Sequence, residues 1–237
     1  MLALALAGGA DRVSGEPRRE VIGAFSTLSP GTRLPEGWRP LTFSGIDRHT
    51  EYAAMSDPST GVVMCATARA SASGLVRPLD RQVSGSARLA WRWKADALLR
   101  KGDVHRREGD DYVARIYVTF RYSPERLSLP QRAKFAAARV LYGDIPHAAL
   151  VYVWDTSAPV GTMVPNAYTD RVRMVVVESG PANIGQWRGY ERDIATDYRQ
   201  AFGEEPPPIS GVAIMTDADN TGESASACYG DIVLESR

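Results

Sequence analysis

The chain is short of the residues on which most recognisable catalytic and metal motifs are built. Its 237 residues hold two cysteines and three histidines. His49, His105 and His147 are far apart and lie in turn-like contexts, so no zinc-ligand spacing is present. No phosphate-cradling glycine loop and no G-x-S-x-G elbow occurs, which leaves a His-dependent hydrolase without support. There is also no excess of either charge. Lys plus Arg equal Asp plus Glu at 28 each, which argues against a dedicated nucleic-acid binder. Long apolar runs are missing too. Residues 1–10 are apolar but fall far short of the roughly 20 needed for a transmembrane segment.

That N-terminal stretch is similar to the second half of a secretory signal. Ala5-Leu6-Ala7 offers small residues at A-x-A spacing. The expectation is an exported protein, periplasmic or secreted, with residues 1–20 as signal remnant or disordered tail. A frayed, removable tail is the alternative. Cys65 and Cys228 both fall in strand-like runs. Two buried free thiols are the default reading. A disulfide is the alternative in an exported protein, since spacing alone does not bring the two within bridging distance.

What is abundant is alternation. Strand-like runs occur at 21–25, 38–43, 50–56, 61–69, 86–96, 111–122, 148–154, 171–179, 210–216 and 226–235, with Gly, Pro, Asn and Asp between them. Many short strands at such spacing predict an all-β sandwich or barrel, with the sandwich as the expectation. With 44% hydrophobic residues the chain can bury a sizeable core, and one domain over 21–237 is the simplest organisation. Two helices interrupt the pattern. One runs from Pro130 to Tyr142; the other runs from about Tyr190 to Phe202 and stops at Gly203.

The run from Asp111 to Tyr122 separates into two faces. Tyr112, Ala114, Ile116, Val118, Phe120 and Tyr122 suit a core. Arg115, Tyr117, Thr119 and Arg121 share the other face with Val113, a mixture suited to sugars or carboxylates. An ordinary solvent-facing side is the alternative. Trp91 and Trp93 alternate with basic residues and read as core. Trp154, at a strand end, is the better ligand-stacking candidate, with a core-edge aromatic as the alternative, and Trp187 can form part of a rim. Asp110 and Asp111, together with Asp193 and Asp197, are the candidate acids and bases, with Arg192 beside the second pair. The alternative for Asp193 and Asp197 is acid placement early in a helix plus a local ion pair.

Thr216-Asp217-Ala218-Asp219-Asn220-Thr221-Gly222 concentrates oxygen donors on a turn. Asp217, Asp219, Thr221 and Gly222 match the first, third, fifth and sixth positions of a helix–loop–helix calcium loop. The twelfth position holds Cys228 where Glu is required, and strands flank the turn, so that identity fails. A structural calcium held by Asp217, Asp219, Asn220 and Asp231 remains as an expectation.

Several segments together resemble a known family. They are Leu89-Ala90-Trp91-Arg92-Trp93, the run from Gly109 through Arg115 to Phe120, Tyr152-Val153-Trp154, Glu191-Arg192-Asp193 with Asp197-Tyr198 and Phe202-Gly203, and the Asp217–Gly222 turn with Tyr229-Gly230-Asp231. In this order they resemble family 3047 of bacterial domains of unknown function, over roughly residues 35–235. The resemblance implies an exported bacterial protein with a jelly-roll sandwich similar to carbohydrate-binding domains. It implies no established activity and supplies no catalytic residue. The functional expectation is a glycan or related polar ligand. A polysaccharide hydrolase or lyase using the Asp carboxylates is one alternative, and an envelope structural or partner-binding protein is another.

Overall fold

A computed structural model describes residues 18–83, 86–121, 129–130, 132 and 148–236. Among the described residues fourteen strands form two facing sheets, a jelly-roll-like sandwich. Of the helix expected over 130–142, residues 130 and 132 are described, both helical, and the rest lies outside the described residues. Among the described residues no helix is long and apolar enough to cross a membrane.

The first sheet is organised around β6 (Ala87–Ala95). Along one side of it runs β11 (Arg188–Asp193), and along the other run β13 (Ser224–Tyr229) and β14 (Ile232–Ser236) in succession. Tyr229 pairs with Trp93 and Val233 with Ala90, so β13 and β14 form one strand with a single extra residue at Gly230-Asp231. Such a bulge bends a strand, and here each half gains its own further neighbour. β4 (Gly61–Arg69), with β3 (Glu51–Asp57) beyond it, pairs with β13, while β1 (Arg18–Gly23) pairs with β14. Residues 18–20, expected in a tail, are therefore strand.

The second sheet runs β2 (Arg39–Leu41), β5 (Ala72–Arg81), β12 (Ile209–Asp217), β7 (Arg115–Phe120), β8 (Ala148–Asp155), β10 (Thr169–Ser179), β9 (Met163–Asn166). All its pairings are antiparallel except β8 with β10.

Between the sheets lies one aromatic-rich core. Leu89, Trp91, Trp93 and Ala95 of β6 face Ile116, Val118 and Phe120 of β7 and Leu150, Tyr152 and Trp154 of β8. Trp91 stacks on Tyr152 at 5.1 Å between ring centres, a contact worth about 0.5–1.5 kcal/mol beyond burial. A second cluster lies on the far side of the second sheet and includes Tyr112, Val151, Val153, Met174 and Val176. β8 is consequently buried at every position.

Two expected elements change boundaries. The strand of 111–122 is regular only from Arg115, so Tyr112 leaves the alternation and joins the second cluster while Val113 joins the first. The helix expected from Tyr190 begins at Ile194 as α1 (Ile194–Phe202). Tyr190 lies on β11, an edge strand whose polar sequence carries no apolar alternation. Asp193 caps α1, accepting the Thr196 N–H at 2.9 Å, and Gly203 closes it with φ +71°.

Cys65 and Cys228 are direct register partners on β4 and β13 and form a disulfide. The free-thiol reading is thereby corrected. Both side chains lie on the outer face, because Met64, Ala66, Ala227 and Tyr229 take the inner one. The bridge spans 163 residues of sequence. Replacing both cysteines by serine is expected to cost about 2–5 kcal/mol, read as a lower midpoint in denaturant. Reductant should lower the wild-type midpoint and leave the variant unchanged.

Candidate functional site

The end of β12 is where the oxygen-rich turn begins. Thr216 and Asp217 are almost fully buried. Asp217 accepts the Tyr112 N–H through Oδ1 at 3.1 Å and pairs with the Arg115 guanidinium through Oδ2. Asp111 reaches in the opposite direction: it accepts the Thr221 N–H at 2.6 Å and the Asn220 N–H at 3.3 Å. The segment leading into β7 and the turn after β12 are thus tied by two carboxylates pointing opposite ways. Gly222, at φ +68°, lets the turn close, its N–H donating to the Ala218 carbonyl at 3.1 Å.

This exchange gathers charge. Carboxylate oxygens of Asp111, Asp217 and Asp219 lie within 4.8 Å of one another. Asp110 stands beside them, held by Asn166 Nδ2 at 3.0 Å and the Tyr112 hydroxyl at 3.2 Å. Against these carboxylates stands one guanidinium. Burial works against the Arg115 charge, but Asp217 foremost, then Tyr117 and Asp110, outweigh it and raise its pKa above the ordinary value. Tyr112 and Tyr117 flank it at 5.2 and 5.4 Å. Asp110 and Asp219 are both pushed up, by burial first; the Asp111 charge adds to the effect on Asp219.

Beside this group opens a crevice of about 690 Å³. It is lined by Asn220 and Thr221, by Thr156 and Ser157, and by residues 100–103, 106, 108 and 109. Arg100, Lys101 and Arg106 bring cations to it, and Asp103 and Glu108 bring acids. Close by, Tyr168 is half exposed, donates its hydroxyl to Asn220 Oδ1 at 3.0 Å and packs against Arg107 at 4.5 Å.

The expected site residues are thus redistributed. Arg115 is buried in an ion pair and does not face solvent; Tyr117, on the same face, is only partly exposed. Arg121 is exposed and pairs with Asp80. Trp154 is 1% exposed, with its indole N–H donating to the Gly180 carbonyl at 3.1 Å, so it is core and not a stacking platform. Arg192 grips Asp197 with two bonds, at 2.9 and 2.5 Å, and Asp197 also accepts the Tyr152 hydroxyl at 2.8 Å. Asp193 and Asp197 therefore hold α1 in place and do not meet Asp110 and Asp111, which lie toward the other face of the second sheet. Asp231 leaves the expected cation set: it sits at the β13–β14 bulge and accepts the Ser26 N–H and hydroxyl at 2.8 and 2.6 Å. Asp111 stands in its place. The amide nitrogen of Asn220 points to Asp110 and Asp111, and its oxygen is taken by Tyr168.

A second polar group, on the outer face of the first sheet, escaped the sequence reading apart from Trp187 as a rim. Asp57 Oδ2 accepts Lys94 Nζ at 2.5 Å and the Trp187 indole N–H at 3.2 Å, and Oδ1 accepts the Ser59 N–H at 2.9 Å. Lys94 first, then Ser59, hold the Asp57 carboxyl well below the usual range.

The chain belongs to the family described as "Protein of unknown function (DUF3047)", whose model matches residues 36–233. No curated protein matches the sequence. Among solved structures it is similar to the family 11 carbohydrate-binding module of a cellulosomal cellulase of Clostridium thermocellum, at 13% identity and TM-score 0.44, over 92% of this chain and 94% of that one. A family 29 carbohydrate-binding module variant complexed with mannohexaose follows at 10% identity and TM-score 0.41, over 93% of each chain. The K1 cleaved adhesin domain of Lys-gingipain from Porphyromonas gingivalis matches at 11% identity and TM-score 0.40, over 94% of this chain and 99% of that one. Identities this low align no site residues, and no ligand is transferred from them.

Arg115→Met strands the buried Asp217 charge and is expected to cost about 3–5 kcal/mol. Adding Asp217→Asn should recover part of that loss, as a denaturant double-mutant cycle would read. The depressed Asp57 contributes stability above the unfolded carboxylate value, about 3.9, and loses it as pH falls through its folded value. Thermal melts from pH 6 to pH 2 should therefore show the wild type's advantage over Asp57→Asn shrinking below about pH 4.

Proposed function

We propose that this protein is an exported, non-catalytic sandwich that binds a glycan or a related polar ligand in the crevice beside Asn220. The observation that carries this reading is the engagement of the carboxylates. Asp193 is a helix cap, Asp197 is locked by Arg192 and Tyr152, Asp111 holds the turn and Asp217 holds Arg115. A glycosidase needs two carboxyl groups facing each other across a cleft, about 5–10 Å apart, and the tied groups are poorly placed for that. The crevice offers instead mixed donors and acceptors with a half-exposed tyrosine nearby, which is the chemistry of polyol recognition. The Cys65–Cys228 disulfide supports an oxidising compartment, in keeping with the A-x-A stretch near the N-terminus.

A structural calcium ion belongs to the same reading. Hard oxygen donors are what calcium takes, and Asp111, Asp217 and Asp219 provide them within 4.8 Å. Asp219 is the least committed of the three. The ion would relieve repulsion that one guanidinium leaves unbalanced and would fix the turn that lines the crevice.

Two outcomes check this. On a glycan array in calcium buffer the protein should bind, and Tyr168→Ala should weaken the best ligand at least tenfold with an unchanged melting temperature; no binding to any glycan would overturn the reading. Calcium should raise the melting temperature and chelator should reverse the rise, with a gain of about 2.7 kcal/mol at a hundredfold excess over Kd. Asp219→Asn should lose most of that rise.

A further inference from the structure

The outer face of the first sheet carries a constellation independent of the crevice. β6 presents Arg92 and Lys94 there, because Trp91, Trp93 and Ala95 take the inner face. Lys94 is matched by Asp57, which is already saturated by Lys94, Trp187 and Ser59. Arg92 has no carboxylate partner among the described residues. Among the described residues the guanidinium makes one hydrogen bond, a long one of 3.4 Å to the Thr60 carbonyl, although it has five N–H donors. The patch therefore holds two cations against one anion.

Small neighbours leave room above this cation. Arg92 is the register partner of Gly189 on β11, and on its other side Gly230 donates its N–H to the Arg92 carbonyl at 2.9 Å. A side chain at Gly230 would strike the Arg92 stem, with Nε only 2.3 Å from where a Cβ would sit. Gly230 thus lets Arg92 lie flat against the sheet. Trp187 forms the wall: Arg92 lies 5.3 Å and Lys94 5.2 Å from its ring centre, and the indole stays partly exposed.

We propose that Arg92, Lys94 and Trp187 form a second binding site, selective for a saccharide carrying a carboxylate, that is, a uronate. Arg92 supplies the fork that matches a carboxylate, Lys94 adds charge, and the indole gives a flat apolar surface for the pyranose ring. An acidic peptide would use the cations without the indole, so the paired arrangement favours the sugar acid.

The test is calorimetric titration of the disulfide-intact protein with trigalacturonate at low salt. Wild type should bind, and more weakly as salt rises. Arg92→Gln and Trp187→Leu should each weaken binding at least tenfold, Arg92→Lys less, and the fully methyl-esterified trimer should not bind. Tyr168→Ala, beside the crevice, should leave trigalacturonate binding unchanged, so failure of one site is distinguishable from failure of the other. Absence of wild-type binding, full affinity in Arg92→Gln, or equal binding of an oligoglutamate of the same charge would overturn the proposal.

Discussion

Four aspartates around one buried arginine set the terms for this end of the molecule. A charge removed from water must be paired or hydrogen-bonded, and three of the four meet that demand differently. Asp217 takes the guanidinium, Asp111 takes the N–H groups of the turn, and Asp110 takes Asn166 and Tyr112. These bonds explain why β7 begins only at Arg115. The preceding residues are pulled out of the sheet alternation to serve the turn, which carries Tyr112 to the far side and leaves Val113 in the core.

The same demand explains why the polar face of β7 is not an open ligand platform. The second sheet is apolar on both sides through β8 and β10, where Val151, Val153, Met174 and Val176 form a second buried layer. Arg115 lies at the margin of that layer and needs Asp217 to be there at all. The polar groups that meet water lie instead where the backbone or the sheet surface is open, in the crevice at the strand ends and on the outer face of β6.

Much of the architecture is legible in the sequence, since alternation reports directly which side of a strand is apolar. The runs at 61–69 and 148–154 match β4 and β8 almost residue for residue, and the inward tryptophans of β6 were visible as such. Alternation does not report how many layers cover a strand. Trp154 therefore read as a stacking candidate at a strand end although β8 is covered on both sides. β5 was hidden by Gly74 and by Pro78, which lies beyond the short β2 and so loses no ladder bond on that side. The turn at 217–222 was conspicuous, but its partner was not: Asp231 is close in sequence and Asp111 is close in space, and only the pairing of β7 with β12 decides between them.

The bend at Gly230-Asp231 has a further consequence. By turning the second half of the strand toward β1, it makes Arg18 and Ser236 register partners. The two extremities of the described fold are therefore hydrogen-bonded neighbours at one corner. A sandwich with this corner can be spliced into a loop of a host polypeptide without stretching either flank, or reconnected there by a short linker and opened at another surface turn, its sheets left intact.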